Sequence, residues 1–424
     1  MLPINKNLLS LKPSATLAIN QKIRSLRTTK KKICHFGFGQ SPFPIHHSIV
    51  SELVKNANNN NYLPSLGLPV LRNSIAGFLE KHQNIHCKNE QILIGPGSKE
   101  LLFQTILMIE GVFLIPKASW VSYVPQIISK GGQFEVLETK FENDFKLMAN
   151  ELDAYCFKNP YKTKILMINS PNNPTGAVYS KNEIKELAEV CGKHNVWVLS
   201  DEIYSQINFN NNSSPSIAQY YPHKTFVFGG LSKVFSAGGY RLGFMVLPES
   251  NQNLALYFQS LFSETFSAVA APIQYAAVKA FNFENDVESY VQSCRTILAA
   301  VQKYIRVKLN NVGIQCTNSE GAFYMMAGFN NFKNELEKQQ IKTNIELADL
   351  LLDEFSVALL PGSDFYFDDN ELFLRLAFVD FDGAHLLKAF GKSGEINDRF
   401  IEEHCPNIVF GVEQLLLFVK DIKT

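Results

Sequence analysis

The stretch Gly229-Gly230-Leu231-Ser232-Lys233-Val234-Phe235-Ser236-Ala237-Gly238-Gly239-Tyr240-Arg241-Leu242-Gly243-Phe244 follows a short apolar run, Thr225-Phe226-Val227-Phe228, that reads as a buried strand. Lys233 therefore falls just past a strand end, with glycine pairs on either side. Arg241 comes eight residues later, before a second apolar run from Gly243 to Leu247. Glycine lets backbone approach a bound group closely, and a lysine held there can form an imine with a carbonyl compound. A nearby arginine suits a phosphate, because its planar fork makes paired, charge-assisted hydrogen bonds. A carbonyl and a phosphate on one small molecule describe pyridoxal 5′-phosphate (PLP). Taken alone, the stretch reads equally as a surface lysine on a glycine-rich turn.

Working outward, 424 residues are ample for a sizeable core and more than one domain. Hydrophobic residues make up 46% and charged residues 19%, a globular balance. Lys plus Arg and Asp plus Glu number 40 each, so no net charge draws the chain to nucleic acid or membrane. Lys30-Lys31-Lys32 reads as a solvated face. Seven scattered cysteines without a C-x-x-C pair point to reduced thiols and a cytoplasmic setting, with no metal site. No signal-peptide core or 18-residue apolar stretch is present in the sequence.

A helix is expected from Pro13 to Leu26, then a strand at 33–36. A loop at 62–67 precedes an amphipathic helix over 69–81. Strands are expected at 91–94, 112–115, 134–138, 164–169, 196–200, 226–228 and 244–247, with helices between several of them, notably 99–108 and 181–194. That alternation predicts a largely parallel sheet covered on both faces. After Ser260 the pattern changes to a long helix at 287–309 and strands at 323–327, 356–360 and 373–378. The residues 392–403 read as an irregular charged stretch before a last helix at 411–420.

In open parallel sheets, ligands bind beyond the carboxyl ends of the strands. Four such ends carry suggestive residues. Gly95-Pro96-Gly97-Ser98-Lys99 opens a helix whose free N–H groups make an anion site. Asn169-Ser170-Pro171-Asn172-Asn173-Pro174-Thr175-Gly176 follows another strand. Ser200-Asp201-Glu202-Ile203-Tyr204 ends a third, where an acid can pair with a pyridinium nitrogen or simply cap a helix. The fourth delivers Lys233.

Together these motifs resemble the class I/II aminotransferases of PLP fold type I, in their aspartate-aminotransferase-like branch. Lys12-Pro13-Ser14-Ala15-Thr16-Leu17-Ala18, Tyr62-x-Pro-x-x-Gly, Trp120-Val121-Ser122-Tyr123, Gly321-Ala322-Phe323-Tyr324 and Phe373-Leu374-Arg375-Leu376 also fit, so the resemblance spans nearly the whole chain. It implies an α/β fold: a three-layer large domain (47–284) with a mainly parallel seven-stranded sheet, and a smaller α+β domain formed by 1–46 and 285–424. By the same resemblance, Lys233 would hold PLP as an internal aldimine and then shuttle the proton. Asp201 would pair with the pyridine nitrogen, Asn173 and Tyr204 with the phenolic oxygen, and Trp120 would stack on the ring. Gly97, Ser98, Lys99, Ser232 and Arg241 would hold the phosphate, joined by Tyr62 from the other subunit of a homodimer. Many relatives carry a hydroxyl three residues before the lysine, where this chain has Gly230. Arg375, with Asn173 and Gly39, would bind the substrate α-carboxylate.

The implied reaction moves an amino group between an L-amino acid and a 2-oxo acid, with 2-oxoglutarate as the family acceptor. In dicarboxylate-selective relatives a second cation sometimes comes from the segment matching 262–271, which here carries Glu264 and no cation. Aromatic or aliphatic donors therefore stay open. A C–S lyase or an aminocyclopropane-carboxylate-synthase-like enzyme would start from the same carbanion on the same fold. A non-catalytic binding protein would not need Lys233, Asp201, Arg241 and Arg375 together.

Overall fold

The computed structural model describes the chain apart from residues 1–3, 10, 15–16, 18, 22, 24–31, 211–212, 251–252 and 424. Thirteen strands are described: β1 Cys34–His35, β2 Ile92–Gly95, β3 Val112–Pro116, β4 Gln133–Leu137, β5 Lys164–Asn169, β6 Trp197–Asp201, β7 Thr225–Gly230, β8 Gly243–Val246, β9 Gln315–Cys316, β10 Tyr324–Gly328, β11 Val357–Ala358, β12 Leu360–Pro361 and β13 Phe373–Ala377. Seven of them form one sheet in the order β2-β8-β7-β6-β5-β3-β4. All its pairings are parallel except the two made by β8. These are the seven strands expected from the sequence, shifted at their ends by a residue or so. The fold is the expected α/β arrangement of PLP fold type I.

Burial explains why this sheet forms. Every residue of β2, β3, β5, β7 and β8 is buried, as in a sheet covered by helices on both faces. β4, at the edge, is mostly part-exposed. The covering helices start and stop where the sequence dictates. Ser180 caps Lys181–His194, accepting from the Glu183 N–H while the Glu183 side chain reaches back to the cap. Asn195 then ends that helix in the left-handed region, at φ 58°. Pro69 opens Pro69–Gln83 at a position that needs no N–H donor.

Beyond the large sheet, a 27-residue helix, Asn285–Asn311, leads to an antiparallel sheet ordered β12-β13-β10-β9. Here two expectations are corrected. The single strand expected at 356–360 is two short ones: β11 pairs with β1, while β12 pairs with β13. The stretch 392–403 is not irregular throughout, since Asp398–His404 is a helix. The Asn397 side chain accepts from the Phe400 N–H, and burial of Phe400 and Ile401 holds the helix down. The last helix is also longer than expected, Pro406–Ile422. Of the helix expected at 13–26, residues 17, 19–21 and 23 are helical and Pro13 and Ser14 are not, whereas Ala15, Thr16, Ala18, Lys22 and 24–26 lie outside the described residues. Lys30 and Lys31 also lie outside them, and Lys32 is exposed over the Phe410 ring. No helix among the described residues is long and apolar enough to cross a membrane.

Candidate active site

One edge of the large sheet collects the chemistry. β2 ends at Gly95, just before Gly97 and Ser98; β5 ends at Asn169, β6 at Asp201, and β7 two residues short of Ser232. Because β8 runs antiparallel, Gly243 at its start pairs with both Gly95 and Gly230. The residue two before it, Arg241, thereby reaches the same edge. Arg375 comes from elsewhere, on β13, paired across from Met326 and Leu360. A cavity of about 520 Å³ lies between these groups, within the range that holds small cofactors.

Asp201 sits buried on the cavity wall. The Tyr123 hydroxyl donates to its Oδ2 at 2.9 Å, and Asn169 Nδ2 donates to its backbone carbonyl at 2.7 Å. Burial pushes the Asp201 carboxyl up to about 6, against the pull of the Tyr123 hydroxyl, the Ile203 N–H and the Lys233 charge. A cationic ring nitrogen would satisfy this carboxylate. Across the cavity, Lys233 Nζ donates to Gly39 O at 2.9 Å and lies 5.7 Å from the Tyr204 ring centre and 5.2 Å from that of Phe323. Burial, reinforced by the charges of Arg375 and Arg241, lowers its pKa to about 8. An ordinary lysine is almost wholly protonated at neutral pH, whereas this one is readily freed as a nucleophilic amine.

The anion cradle uses backbone. Gly97 caps the helix Ser98–Met108 at φ 90°, a conformation that side chains rarely adopt, and a Cβ there would collide with the Arg241 guanidinium. The helix start presents free N–H groups and the positive end of its dipole. Arg241 Nη1 is tethered to Gly238 O at 2.9 Å, and Ser232 and Lys99 line the same cavity. Lys99 Nζ lies 5.0 Å from the Trp120 ring centre, and burial together with the Arg241 charge lowers its pKa. Gly230 has a packing reason. A Cβ there would sit 2.7 Å from Leu242 O and 2.9 Å from Gly243 Cα, so a hydroxyl residue at 230 requires β8 to move.

Arg375 is 1% exposed and has no carboxylate partner among the described residues. Its Nη1 donates to Asn173 Oδ1 at 3.1 Å and its Nη2 to Gly37 O at 2.7 Å, while its Nε has no partner. The Tyr324 and Phe365 rings flank the guanidinium at 4.7 and 5.0 Å. Burial lowers its pKa, opposed by Tyr324, Tyr204 and Asp364. Burying a guanidinium without an ion-paired anion costs several kcal/mol, so an incoming carboxylate would be favoured beside it. Gly39, beside it, must be glycine because a Cβ would collide with the Tyr324 ring.

The cavity thus brings together Gly39, Ser98, Lys99, Trp120, Asn173, Asp201, Tyr204, Ser232, Lys233, Arg241 and Arg375, with Gly97 behind Arg241. Tyr62 is not among them; it is 96% exposed on the surface. A wider cleft of about 830 Å³ elsewhere is lined by none of the residues singled out from the sequence. Sequence reasoning gave no role to Tyr123, Asn169 or Tyr324. Asn169 Oδ1 accepts from the Asn173 N–H at 2.7 Å, and the Tyr324 hydroxyl is 3.0 Å from that of Tyr204. Tyr123 and Tyr324 stand inside quoted motifs, but their partners are 78 and 120 residues away.

Known proteins show the family of the chain and its fold. The family model for aminotransferase class I and II matches residues 31–387. The chain is 33% identical to an aspartate aminotransferase of Bacillus subtilis, covering 94% of this chain and 99% of that one. It is 30% identical to aromatic-amino-acid aminotransferase 2 of Thermococcus litoralis, covering 85% and 90%. In fold it matches the solved aspartate aminotransferase of Rhizobium meliloti with a TM-score of 0.85, at 21% identity and 99% coverage of each chain. This chain therefore belongs to the class I and II aminotransferases, a membership that implies dependence on PLP.

Proposed function

We propose that the protein transfers the amino group of an L-amino acid to a 2-oxo acid, with 2-oxoglutarate as acceptor, and that Lys233 is the amine that carries the cofactor. The observation that bears most weight is Arg375: a buried cation with no ion-paired carboxylate among the described residues, lining the same cavity as Lys233. When bound, PLP supplies an electron sink for the carbanion formed at the substrate Cα. Arg375, with Asn173 and the Gly39 backbone, fixes the α-carboxylate. Asp201, held ionised by Tyr123, fixes the ring nitrogen. Tyr204 and Asn173 hold the phenolic oxygen, Trp120 packs on the ring, and the Ser98 and Lys99 N–H groups with Gly97, Ser232 and Arg241 hold the phosphate. Lys233, with its lowered pKa, would be the group that takes and moves the proton of the substrate Cα.

Lys99 supports dicarboxylate substrates. It lines the cavity and has no carboxylate partner among the described residues, so it offers the second cation that the segment 262–271 lacks. Relatives named aspartate aminotransferases lend support to a dicarboxylate donor, though not to Lys99 itself. Lys99→Ala is expected to lower kcat/KM for L-aspartate roughly tenfold, one charged contact's worth, and to leave that for L-phenylalanine within about twofold. Steady-state assays with both donors and 2-oxoglutarate check this; equal losses for the two donors would remove Lys99 from side-chain selection.

The exposure of Tyr62 supports a homodimer in which it completes the partner's phosphate site. The boundaries proposed are 47–284 for the cofactor domain and 1–46 with 285–424 for the smaller one; they are supported by the seven-stranded sheet lying within the first and the four-stranded sheet within the second.

A further inference from the structure

The turn Gly362–Phe365 ends at Tyr366, whose φ of 72° lies in the left-handed region. A bulky residue seldom adopts that conformation, and glycine adopts it freely. The Tyr366 side chain accounts for a tyrosine there. Its hydroxyl donates to Trp120 O at 3.0 Å and accepts from the Val124 N–H at 3.3 Å. Close by, the Ala118 N–H donates to Phe365 O at 3.0 Å. The segment 118–124 is thus braced along its length by the turn. It carries Trp120 and Tyr123, whose rings meet edge to face at 5.3 Å, and Tyr123 holds Asp201. On its other side the turn places Phe365 against Arg375.

The turn is itself anchored. Asn344, fully buried, accepts from the Ser363 N–H at 3.2 Å and donates to the carbonyls of Asp368, Asp369 and Glu371. Strained backbone persists where its surroundings over-determine it, and such strain clusters at functional sites.

We propose that Tyr366 is a positioning residue for the cofactor: its hydroxyl fixes the Trp120–Val124 turn, and so sets Trp120 on the ring face and Tyr123 on Asp201. It touches neither cofactor nor substrate and acts through both of those side chains. This rests on reading the cavity as the PLP site.

The test is PLP affinity of the apoprotein, followed by fluorescence of its two tryptophans, alongside thermal unfolding of the same apoprotein. Tyr366→Phe removes only the hydroxyl. It is expected to weaken PLP binding about fivefold to tenfold, the loss expected for hydrogen bonds of ordinary net worth, while the apoprotein's Tm shifts by no more than about 3 °C. Tyr123→Phe is expected to weaken binding as well. Because the two act along one chain of contacts, the double variant should fall short of the product of the single effects by about threefold or more. A lowered Tm with wild-type PLP affinity would make Tyr366 merely structural and overturn the proposal. So would single effects that multiply fully. If the wild-type apoprotein itself fails to bind PLP, the reading of the cavity fails instead, and the proposal with it.

Discussion

Lys233→Ala is expected to lower kcat by at least about 10⁴-fold, because one side chain is asked to do two things. A positioned acid–base group is worth roughly 10² to 10⁴ by itself, and loss of the nucleophilic amine comes on top of it. The fold should survive. Lys233 Nζ makes one hydrogen bond, to Gly39 O, and burial already works against its charge, so truncation removes an unfavourable group along with a favourable contact. Arg241, Asp201 and the Gly97 helix cap remain to hold the cofactor non-covalently. The variant should therefore bind PLP, lack the visible band of the lysine-linked form, and melt within a few degrees of wild type. Turnover within tenfold of wild type would show that the proton moves through another group.

Arg375→Ala carries the second-largest effect. Removing one partner of a buried, hydrogen-bonded charge pair costs about 2–5 kcal/mol, which is a loss of about 30-fold to 5,000-fold in kcat/KM. The loss should be similar for aspartate, phenylalanine and alanine, because every amino acid presents the same α-carboxylate. It should appear mainly in KM. Without substrate the protein gains from losing a buried cation that has no ion-paired carboxylate, and Asn173, one of the two acceptors set free, lines the cavity. Unequal losses that follow side-chain class would reassign Arg375 to specificity.

The parts of this architecture that were legible in the sequence are those with local signals. The seven strands of the large sheet announced themselves as mainly apolar runs ended by glycine, asparagine, proline or acid. The residues at their carboxyl ends were readable because the parallel sheet gathers those ends by construction. Arg375 was legible as an arginine set among apolar neighbours. What escaped was pairing at long range. The Lys233–Gly39 contact joins residues 194 apart, and Tyr366 meets Trp120 across 246. No local pattern encodes either. The helix at 398–404 escaped for the opposite reason: its surface is so polar that two buried residues, Phe400 and Ile401, hardly mark it. Gly230 was readable as a departure from the family, but its cause, the backbone of Leu242 and Gly243 packed against it, needed coordinates.

The central claim is that Lys233 presents a cofactor that stores the amino group between two half-reactions. A single-turnover absorption measurement tests it most directly. Purified holoenzyme is mixed with L-aspartate in the absence of any keto acid. The band of the lysine-linked cofactor is expected to give way to that of pyridoxamine phosphate, and 2-oxoglutarate to restore it with one glutamate formed per site. Persistence of the original band while ammonia and a keto acid accumulate would mean elimination rather than transfer, and would contradict the account.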